Sequence, residues 1–506
     1  MRSFFSTPLE TTFGKWWGGI DPASKRAFLA VLVVNVLAFG FEMTNLTLNH
    51  DDVNQLDIQD TILGHYLGRF GAGWLYYYTQ NHYFMPFLQM TEGILLMGAY
   101  GVVVARFWGA RSAASIALIA AILCVFPYMA HVYQYNTSMV IDPLAHLLAA
   151  LAVVFSVRAT LRHVALAAAL YVAAFSIYQS VAANAATIFV IWLLTRIVFE
   201  GAGKGPLMRQ LVRSTIAVAV AVVVGGLVYL AIVSMMPLEF DTDHAAAEAF
   251  HLGGATKLWQ SIPLVWNGTR SFFVWPEPYF PDYLKAIQLA FLAAAGAVCV
   301  WLPRGLLTKI GAVALLVLSI FAPRVLQLLH PDGSYHSLAL TAYAVLVAGT
   351  VMLVTTAGRT AMRNLSMIAA AILIAGYVMQ CNWISTVNYL NTQAHFSTLT
   401  QVLARLRSLP DAQWDGKKVA VVGHYDMPSD YPFKLSTGVA NKYMDAEHLN
   451  ALARVLRDEA TFVAADQAMP KVLEYAATHA AWPDPRSVAI VDGVGVVVFS
   501  KTATGR

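Results

Sequence analysis

The stretch "AFLAVLVVNVLAFGFEMTNLTLNHDDVNQLD", residues 27–57, decides the fold. Residues 27–44 are mostly apolar and are long enough for a membrane-spanning helix, which needs about 17–25 residues. The residues that follow are polar, and four acids lie between Asp51 and Asp60 although only 12% of the chain is charged. The stretch therefore predicts a helix that crosses a membrane and ends beside a group of carboxylates.

The rest of the chain repeats the apolar pattern. Hydrophobic residues make up 58% of the chain and the mean hydropathy is +0.58, whereas a soluble domain is about 45–50% apolar. Ten further apolar stretches cover residues 84–105, 112–130, 139–157, 164–178, 180–197, 214–236, 286–303, 308–322, 338–356 and 364–381. The sequence therefore predicts a polytopic α-helical membrane protein with about eleven transmembrane helices. Because no cleavable signal peptide precedes the first span, we expect that span to be a retained anchor.

The distribution of basic residues predicts the orientation. Sixteen of the 21 Lys and Arg residues before position 385 fall on the cytoplasmic side if the N-terminus is cytoplasmic, as the positive-inside rule requires. Two long loops, residues 45–83 and 237–285, then lie on the outer side. Because the inner loops are all short, we expect the chemistry on the outer side.

The composition changes near residue 385. Residues 385–506 hold 12 of the 33 basic residues, and they alternate strand patterns, such as "KKVAVVGHY", with an amphipathic helix pattern in "DAEHLNALARVLRDEATFVAADQ". We therefore predict a transmembrane module over residues 1–384 and a small soluble α/β domain over residues 385–506, on the outer side.

Asp51 and Asp52 stand where the first span leaves the bilayer. A carboxylate at this boundary can act as a general base on a sugar hydroxyl, or it can hold a divalent cation. A solvated outer loop explains the pair equally well. The position directly after the first span favours a catalytic role.

Five basic residues depart from the positive-inside rule. A phosphate-bearing lipid substrate at the outer face would need such cations, because its phosphate carries negative charge through the reaction. Arg69 and Arg324 lie next to spans and are the predicted phosphate-binding residues, with Arg270 as a further candidate. Lys257 and Lys285 are interpreted as lipid-headgroup contacts.

Further polar residues lie at the outer ends of spans. Tyr178, Gln179 and Ser180 separate two short apolar helices, and polar groups at such a depth face protein or a cavity. Hydrogen bonding between helices is the alternative reading. Asp142 heads the fourth span, where it either caps the helix or contacts a sugar.

An aromatic segment of the second outer loop, "FFVWPEPYFPDY", has the composition of a sugar-binding surface. Trp275 and Tyr279 could stack on a sugar ring while Glu277 accepts its hydroxyls; anchoring at the membrane interface explains the aromatics equally well. His336 is added as a candidate sugar contact, and an ordinary loop histidine is its alternative.

Several function classes have no support. No HExxH, Walker or GxGxxG motif stands in a strand–helix context, so neither nucleotide nor nucleic-acid binding is predicted. The three cysteines, Cys124, Cys299 and Cys381, lack metal-ligand spacing. No metal site and no cofactor are firmly implied, although the acid pair could take a divalent cation.

With these residues in this order, the chain resembles the bacterial O-antigen glucosyltransferases of Gtr type II, within the GT-C superfamily. The resemblance covers about residues 30–380. It rests on Asp51–Asp52, on "GRFGAGWL" from residue 68, on Asp142 and on "YQS" at residues 178–180. It implies transfer of a hexose, typically glucose, from undecaprenyl phosphate to a surface polysaccharide hydroxyl. The reaction would take place on the periplasmic face of the bacterial inner membrane.

The resemblance implies that an acid of the first outer loop is catalytic, and from the residue patterns described above we expect the following roles. An acid of the first outer loop, Asp51 or Asp52, would deprotonate the acceptor, and Arg69 with Arg324 would stabilise the leaving lipid phosphate. The predicted sugar or acceptor contacts are Asp142, Tyr178, Gln179, Trp275, Glu277, Tyr279 and His336.

Three alternatives remain open at this point. One is a GT-C transferase of mannose, arabinose or aminoarabinose to a glycan, lipid or protein. Another is a flippase of lipid-linked sugar, which would need polar residues along a path through the membrane; the span centres are nearly free of charge, with Glu92 as the main exception. The third is a structural partner in polysaccharide assembly, in which Asp51 and Asp52 would be replaceable.

Overall fold

The computed structural model describes residues 11, 14, 17–48, 52, 68–80, 85–201, 205–236, 258–277, 279–329, 335, 337–409, 417–426 and 443–501. Two predicted site residues, Asp51 and His336, lie outside these ranges.

The first helix, α1, runs from Pro22 to Thr44. It begins at an N-cap, where the Asp21 side chain accepts a hydrogen bond from the Ser24 amide at 3.0 Å, which satisfies one of the free amides of the first turn. One face packs inside the bundle, while Leu29 on the other face is 58% exposed, as suits a helix in lipid. We call the end of the bundle where α1 ends the Thr44 end.

Each apolar stretch that the sequence predicts as a span contains a helix. The helices after α1 are α2 (Phe70–Leu75), α3 (Pro86–Phe107), α4 (Ala113–Val125), α5 (Pro127–Tyr133), α6 (Ile141–Ser156), α7 (Leu161–Ile177), α8 (Val181–Glu200), α9 (Gly205–Ser234), α10 (Leu258–Val274), α11 (Asp282–Trp301), α12 (Leu306–Phe321), α13 (Val325–Leu329), α14 (Ala342–Ala357) and α15 (Thr360–Ser408). Among the described residues, eight helices are long and apolar enough to cross a membrane, and the bent pair α4–α5 could form a ninth span. The chain is therefore a polytopic helical membrane protein, and the number of eleven spans stays a prediction.

A break between α4 and α5 shapes the Thr44 end. The two helices meet at an angle of 53°. Phe126, the residue between them, has φ −57° and ψ 133°, because the proline ring that follows disfavours helical backbone in the residue before it. Every residue of α5 is buried. The predicted span over residues 112–130 thus ends in a buried segment that turns aside within the protein.

Small residues allow close approach within the bundle. A Cβ atom added to Gly101 of α3 would lie 2.8 Å from the Cβ atom of Ala120 in α4. A Cβ atom added to Gly225 of α9 would lie 2.8 Å from the Cβ atom of Tyr171 in α7. Because lipid gives helices no hydrophobic reason to associate, such close contacts contribute much of the packing energy.

The last described part of the chain contains a sheet and two helices. The strands are β1 (Lys418–Val422), β2 (Tyr425–Asp426), β3 (Tyr443–Met444), β4 (Thr461–Ala464), β5 (Val488–Val491) and β6 (Val494–Val498), with α16 (Ala446–Val455) and α17 (Pro470–Thr478). Four strands form one sheet in the order β4-β1-β6-β5, in which β1 is parallel to both neighbours and β5 is antiparallel to β6. β2 and β3 form a separate antiparallel pair.

The long helix α15 connects the bundle to this sheet. Its 49 residues span about 73 Å at 1.5 Å per residue, more than twice the hydrocarbon thickness of a bilayer, about 30 Å. It passes through residue 385 without interruption, so the boundary predicted there lies inside a helix.

Candidate active site

Asp52 is a buried carboxylate held by the turn between α5 and α6. Its side chain is fully buried. Asn136 of that turn donates one hydrogen bond to Asp52 Oδ2 at 2.9 Å and another to the Thr47 carbonyl at 2.8 Å. One amide group therefore fixes both the acid and the segment that leads to it.

A second buried acid, Glu42, lies next to Asp52. It stands in the last turn of α1, is 1% exposed, and accepts hydrogen bonds from the hydroxyls of Thr47 and Ser385. Its charge interacts with that of Asp52. Glu42 is not among the site residues predicted from the sequence. The available signal was the cost of placing an acid inside an apolar helix, which is seldom accepted without a functional reason.

Tyr76 follows the segment around Arg69 and interacts electrostatically with Asp52. It opens a five-residue π-helical turn, Tyr76–Gln80, that directly follows α2. Burial and, to a lesser extent, the negative charge of Asp52 raise the pKa of the Tyr76 phenol above its usual value. Because π-helical turns occur often at functional sites, this turn fits a role at the acid.

Arg69 is held in a ring of hydrogen bonds. Its Nε donates to Gln179 Oε1 at 3.3 Å, and its guanidinium lies 4.9 Å from the centre of the Tyr178 ring. Gln179 Nε2 donates to the Tyr229 hydroxyl at 2.8 Å, and that hydroxyl donates to the Gly68 carbonyl at 3.2 Å. Gly68 has φ +65°, a conformation that favours glycine.

Asp142 lies beside Arg69 and does not cap its helix. Val140 is the N-cap residue of α6, and no side chain caps that helix end. Asp142 is 4% exposed, and its charge interacts with that of Arg69. Asn136, in the turn between α5 and α6, therefore contacts the predicted acid, and Asp142, in the first turn of α6, interacts with the predicted cation.

A second polar cluster contains Glu277, Tyr279 and Arg324. Tyr128 donates to Glu277 Oε1 at 2.9 Å. Burial, together with the charge of Glu277, raises the pKa of Tyr279 to about 12. Arg324 is 8% exposed, and its Nε donates to the Tyr343 hydroxyl at 2.9 Å. Glu277 and Arg324 both act electrostatically on Tyr343, which joins the cluster.

Other predicted residues near this cluster are more exposed. Trp275 is 58% exposed, and its backbone carbonyl accepts a hydrogen bond from the Lys285 ammonium. Lys285 is 8% exposed, so its interpretation as a lipid-headgroup contact is wrong. Arg270 is exposed on α10.

An apolar groove adjoins the Arg69 network. It has a volume of about 550 Å³ and lies between α7, α8 and α9, with α13 at one edge. Gln179 and Tyr229, the partners in the hydrogen-bond ring around Arg69, are among its few polar lining residues. Val223 and Leu227 also line it and are 58% and 56% exposed, so the groove opens on the apolar surface of the bundle. No sequence pattern distinguishes these side chains from ordinary lipid-facing ones.

Within the described ranges, no group of three or more His, Cys, Asp or Glu side chains could hold a metal ion. Asp51 lies outside those ranges.

Most of the chain matches the model of a known protein family. Residues 40–404 match the family model described as Glucosyl transferase GtrII. This match covers more than half of the chain and includes both polar clusters and the groove. A comparison with curated proteins found no match. The family expected from the sequence is thus confirmed, and the chain belongs to the GtrII family of glucosyltransferases.

Proposed function

We propose that the protein transfers glucose from a polyprenyl phosphate to a hydroxyl of a surface polysaccharide, at the periplasmic face of the bacterial inner membrane. Membership of the GtrII family supports the transfer of glucose. The observation that carries the rest is the place of Arg69, a cation whose partner Gln179 lines an apolar groove and which acts electrostatically on the buried acid Asp142.

The donor fits the groove and its polar end. A polyprenyl chain is apolar and would lie along the groove, where Val223 and Leu227 give access from the lipid. Its phosphate would meet Arg69, whose guanidinium suits charge-assisted hydrogen bonds to phosphate oxygens. The Tyr178 ring and Gln179 orient that guanidinium.

The reaction then needs a base for the acceptor. The acceptor oxygen attacks the anomeric carbon, its proton moves to Asp52, and the bond from that carbon to the lipid phosphate oxygen breaks with inversion. Arg69 stabilises the departing phosphate, and Asp142 holds Arg69 in place. Asp51 is the alternative base.

The second cluster provides the acceptor contacts in this proposal. Glu277 would accept sugar hydroxyls, and Tyr279 and Trp275 would contact the sugar rings, with His336 as a further contact. Arg324 and Arg270 would supply positive charge for the phosphate or for an anionic acceptor.

The finer architecture is part of the same proposal. It comprises a GT-C-like module of about eleven spans with a cytoplasmic N-terminus, and a periplasmic α/β domain over residues 385–506. The buried charged residues at the Thr44 end support this architecture. A polar acceptor and a lipid donor would have to meet at one end of the bundle, and charged groups for the reaction are expected at that end.

The test is an assay of purified protein with radiolabelled undecaprenyl-phosphate glucose and candidate polysaccharide acceptors. Removing a general base typically lowers the rate about 10²–10⁴-fold, so we expect that loss in Asp52→Asn or in Asp51→Asn. Asp282→Asn, at an exposed acid in the first turn of α11, is the matched control. Near-normal activity in both single variants would remove the proposed base. Transfer from a mannose or aminoarabinose carrier, but not from the glucose carrier, would identify a different donor.

A further inference from the structure

Leu48 connects the segment before Asp52 to the core of the sheet-containing part of the chain. It is 1% exposed and belongs to a hydrophobic core made mainly by residues that lie far away in sequence. That core includes Leu399 and Val402 of α15, Val419 of β1 and Leu449 of α16. A residue of the first outer segment thus completes the core between the long helix and the sheet.

The backbone around Leu48 is also fixed. The Leu48 amide donates to the Thr392 hydroxyl of α15 at 3.3 Å. The preceding residue, Thr47, donates through its hydroxyl to Glu42 and accepts through its carbonyl from Asn136 at 2.8 Å. The four peptide units between Leu48 and Asp52 can span at most about 14 Å. The Asn136 amide adds a second connection, because it donates both to the Thr47 carbonyl and to Asp52.

We propose that Leu48 is a positioning residue, through which α15 and the sheet-containing domain set the location of the Asp52 carboxylate. The domain then acts as a scaffold for the reaction, since its core holds the segment that carries the base. This inference rests on the proposed role of Asp52.

The expected signature is a loss in kcat at nearly constant KM for the donor. The proposed donor contacts are Arg69 and the groove between α7, α8 and α9, and they do not involve Leu48. A misplacement of a catalytic group by about 1 Å can cost about 100-fold in rate, so we expect Leu48→Ala to lower kcat by about 10- to 100-fold. Leu48→Met, which keeps the apolar volume, should restore most of the rate.

Two matched variants separate positioning from simple loss of stability. Leu449→Ala removes the same atoms from the same core but has no short covalent path to Asp52, and it should keep kcat while it lowers thermal stability. Leu46→Ala removes the same side-chain atoms from the segment that contains Leu48, but at a residue that is 42% exposed. It should leave kcat and thermal stability near the wild-type values. If Leu48→Ala keeps kcat, or if Leu449→Ala loses as much of it in equally folded protein, the inference is wrong.

A hydroxyl variant keeps the inference testable if Leu48→Ala does not fold. Thr392→Val removes the acceptor of the Leu48 amide and should lower kcat at constant KM, and Thr392→Ser should restore it. An unchanged kcat in Thr392→Val would also overturn the inference. Failure of the proposed function looks different, because wild-type protein would then show no transfer from the labelled donor.

Discussion

Replacement of Arg69 by alanine tests how the donor phosphate is held. The variant removes the guanidinium that lies 4.9 Å from the Tyr178 ring and donates to Gln179. A hydrogen bond to a charged group contributes about 1.5–3 kcal/mol. Because each 1.36 kcal/mol corresponds to a factor of ten, kcat/KM for the donor should fall by about 10- to 150-fold. Arg69→Lys keeps the charge but loses the planar donor geometry, so its effect should be intermediate.

The same change should affect stability, because Arg69 is a positive charge that acts electrostatically on the buried carboxyl of Asp142. An uncompensated buried charge is strongly destabilising. The double variant Arg69→Ala with Asp142→Asn should therefore recover thermal stability without recovering kcat/KM. This separation distinguishes a role in binding from a role in folding.

The assay is a titration of radiolabelled undecaprenyl-phosphate glucose at a fixed acceptor concentration. Arg158→Ala is the control, because Arg158 is exposed and also lies over an aromatic ring, with its guanidinium 5.4 Å from the centre of Phe155. The kcat/KM of Arg158→Ala for the donor should equal that of the wild type. If folded Arg69→Ala kept kcat/KM within about twofold of wild type, well below the loss expected from one charged hydrogen bond, the assignment of Arg69 would be refuted.

Two further predictions concern the groove and the second cluster. Gly226 lines the groove, and no atom lies within 4 Å of a Cβ atom built on it; Gly226→Leu should therefore raise the donor KM without loss of thermal stability. Gly311→Leu, at another open position, should leave the KM unchanged, and an unaltered KM in both variants would argue against donor binding there. Burial raises the pKa of Tyr279 from about 10 to about 12, so the stabilisation by its protonated form is complete below pH 10 and is lost as the pH rises towards 12. The melting temperature of the wild type should therefore decrease between pH 10 and pH 12, and Tyr279→Phe should make this decrease smaller. Identical melting profiles of the two proteins over this pH range would contradict the role given to Tyr279.

The positions of the helices could be predicted because a span must be long and apolar. The convergence of Asp142, Arg69 and Gln179 also followed from the sequence, since all three stand at span ends that the charge distribution places on the same side. Asp52 is held at the same end of the bundle because Asn136, in the turn between α5 and α6, donates a hydrogen bond to its carboxylate.

The remaining features depend on contacts that no local pattern encodes. Asn136 is one amide in a polar turn, and only the structure shows that it reaches Asp52. Pro127 was visible in the sequence, but the angle of 53° between α4 and α5 follows from how the buried helix packs. Arg324 resembles Arg69 in its position next to a span. The packing of α10 and α14 instead places Arg324 with Tyr343 and Glu277.

The surface opening of the groove has a consequence for how catalysis should be measured. A substrate that enters beside Val223 and Leu227 arrives by diffusion within the bilayer. Its effective concentration is then its mole fraction among lipids and does not depend on the amount per volume of buffer. Under the proposed function, adding donor-free phospholipid at constant total donor should slow transfer, as in surface dilution, whereas diluting the whole vesicle suspension should leave the rate per enzyme molecule unchanged when acceptor is saturating.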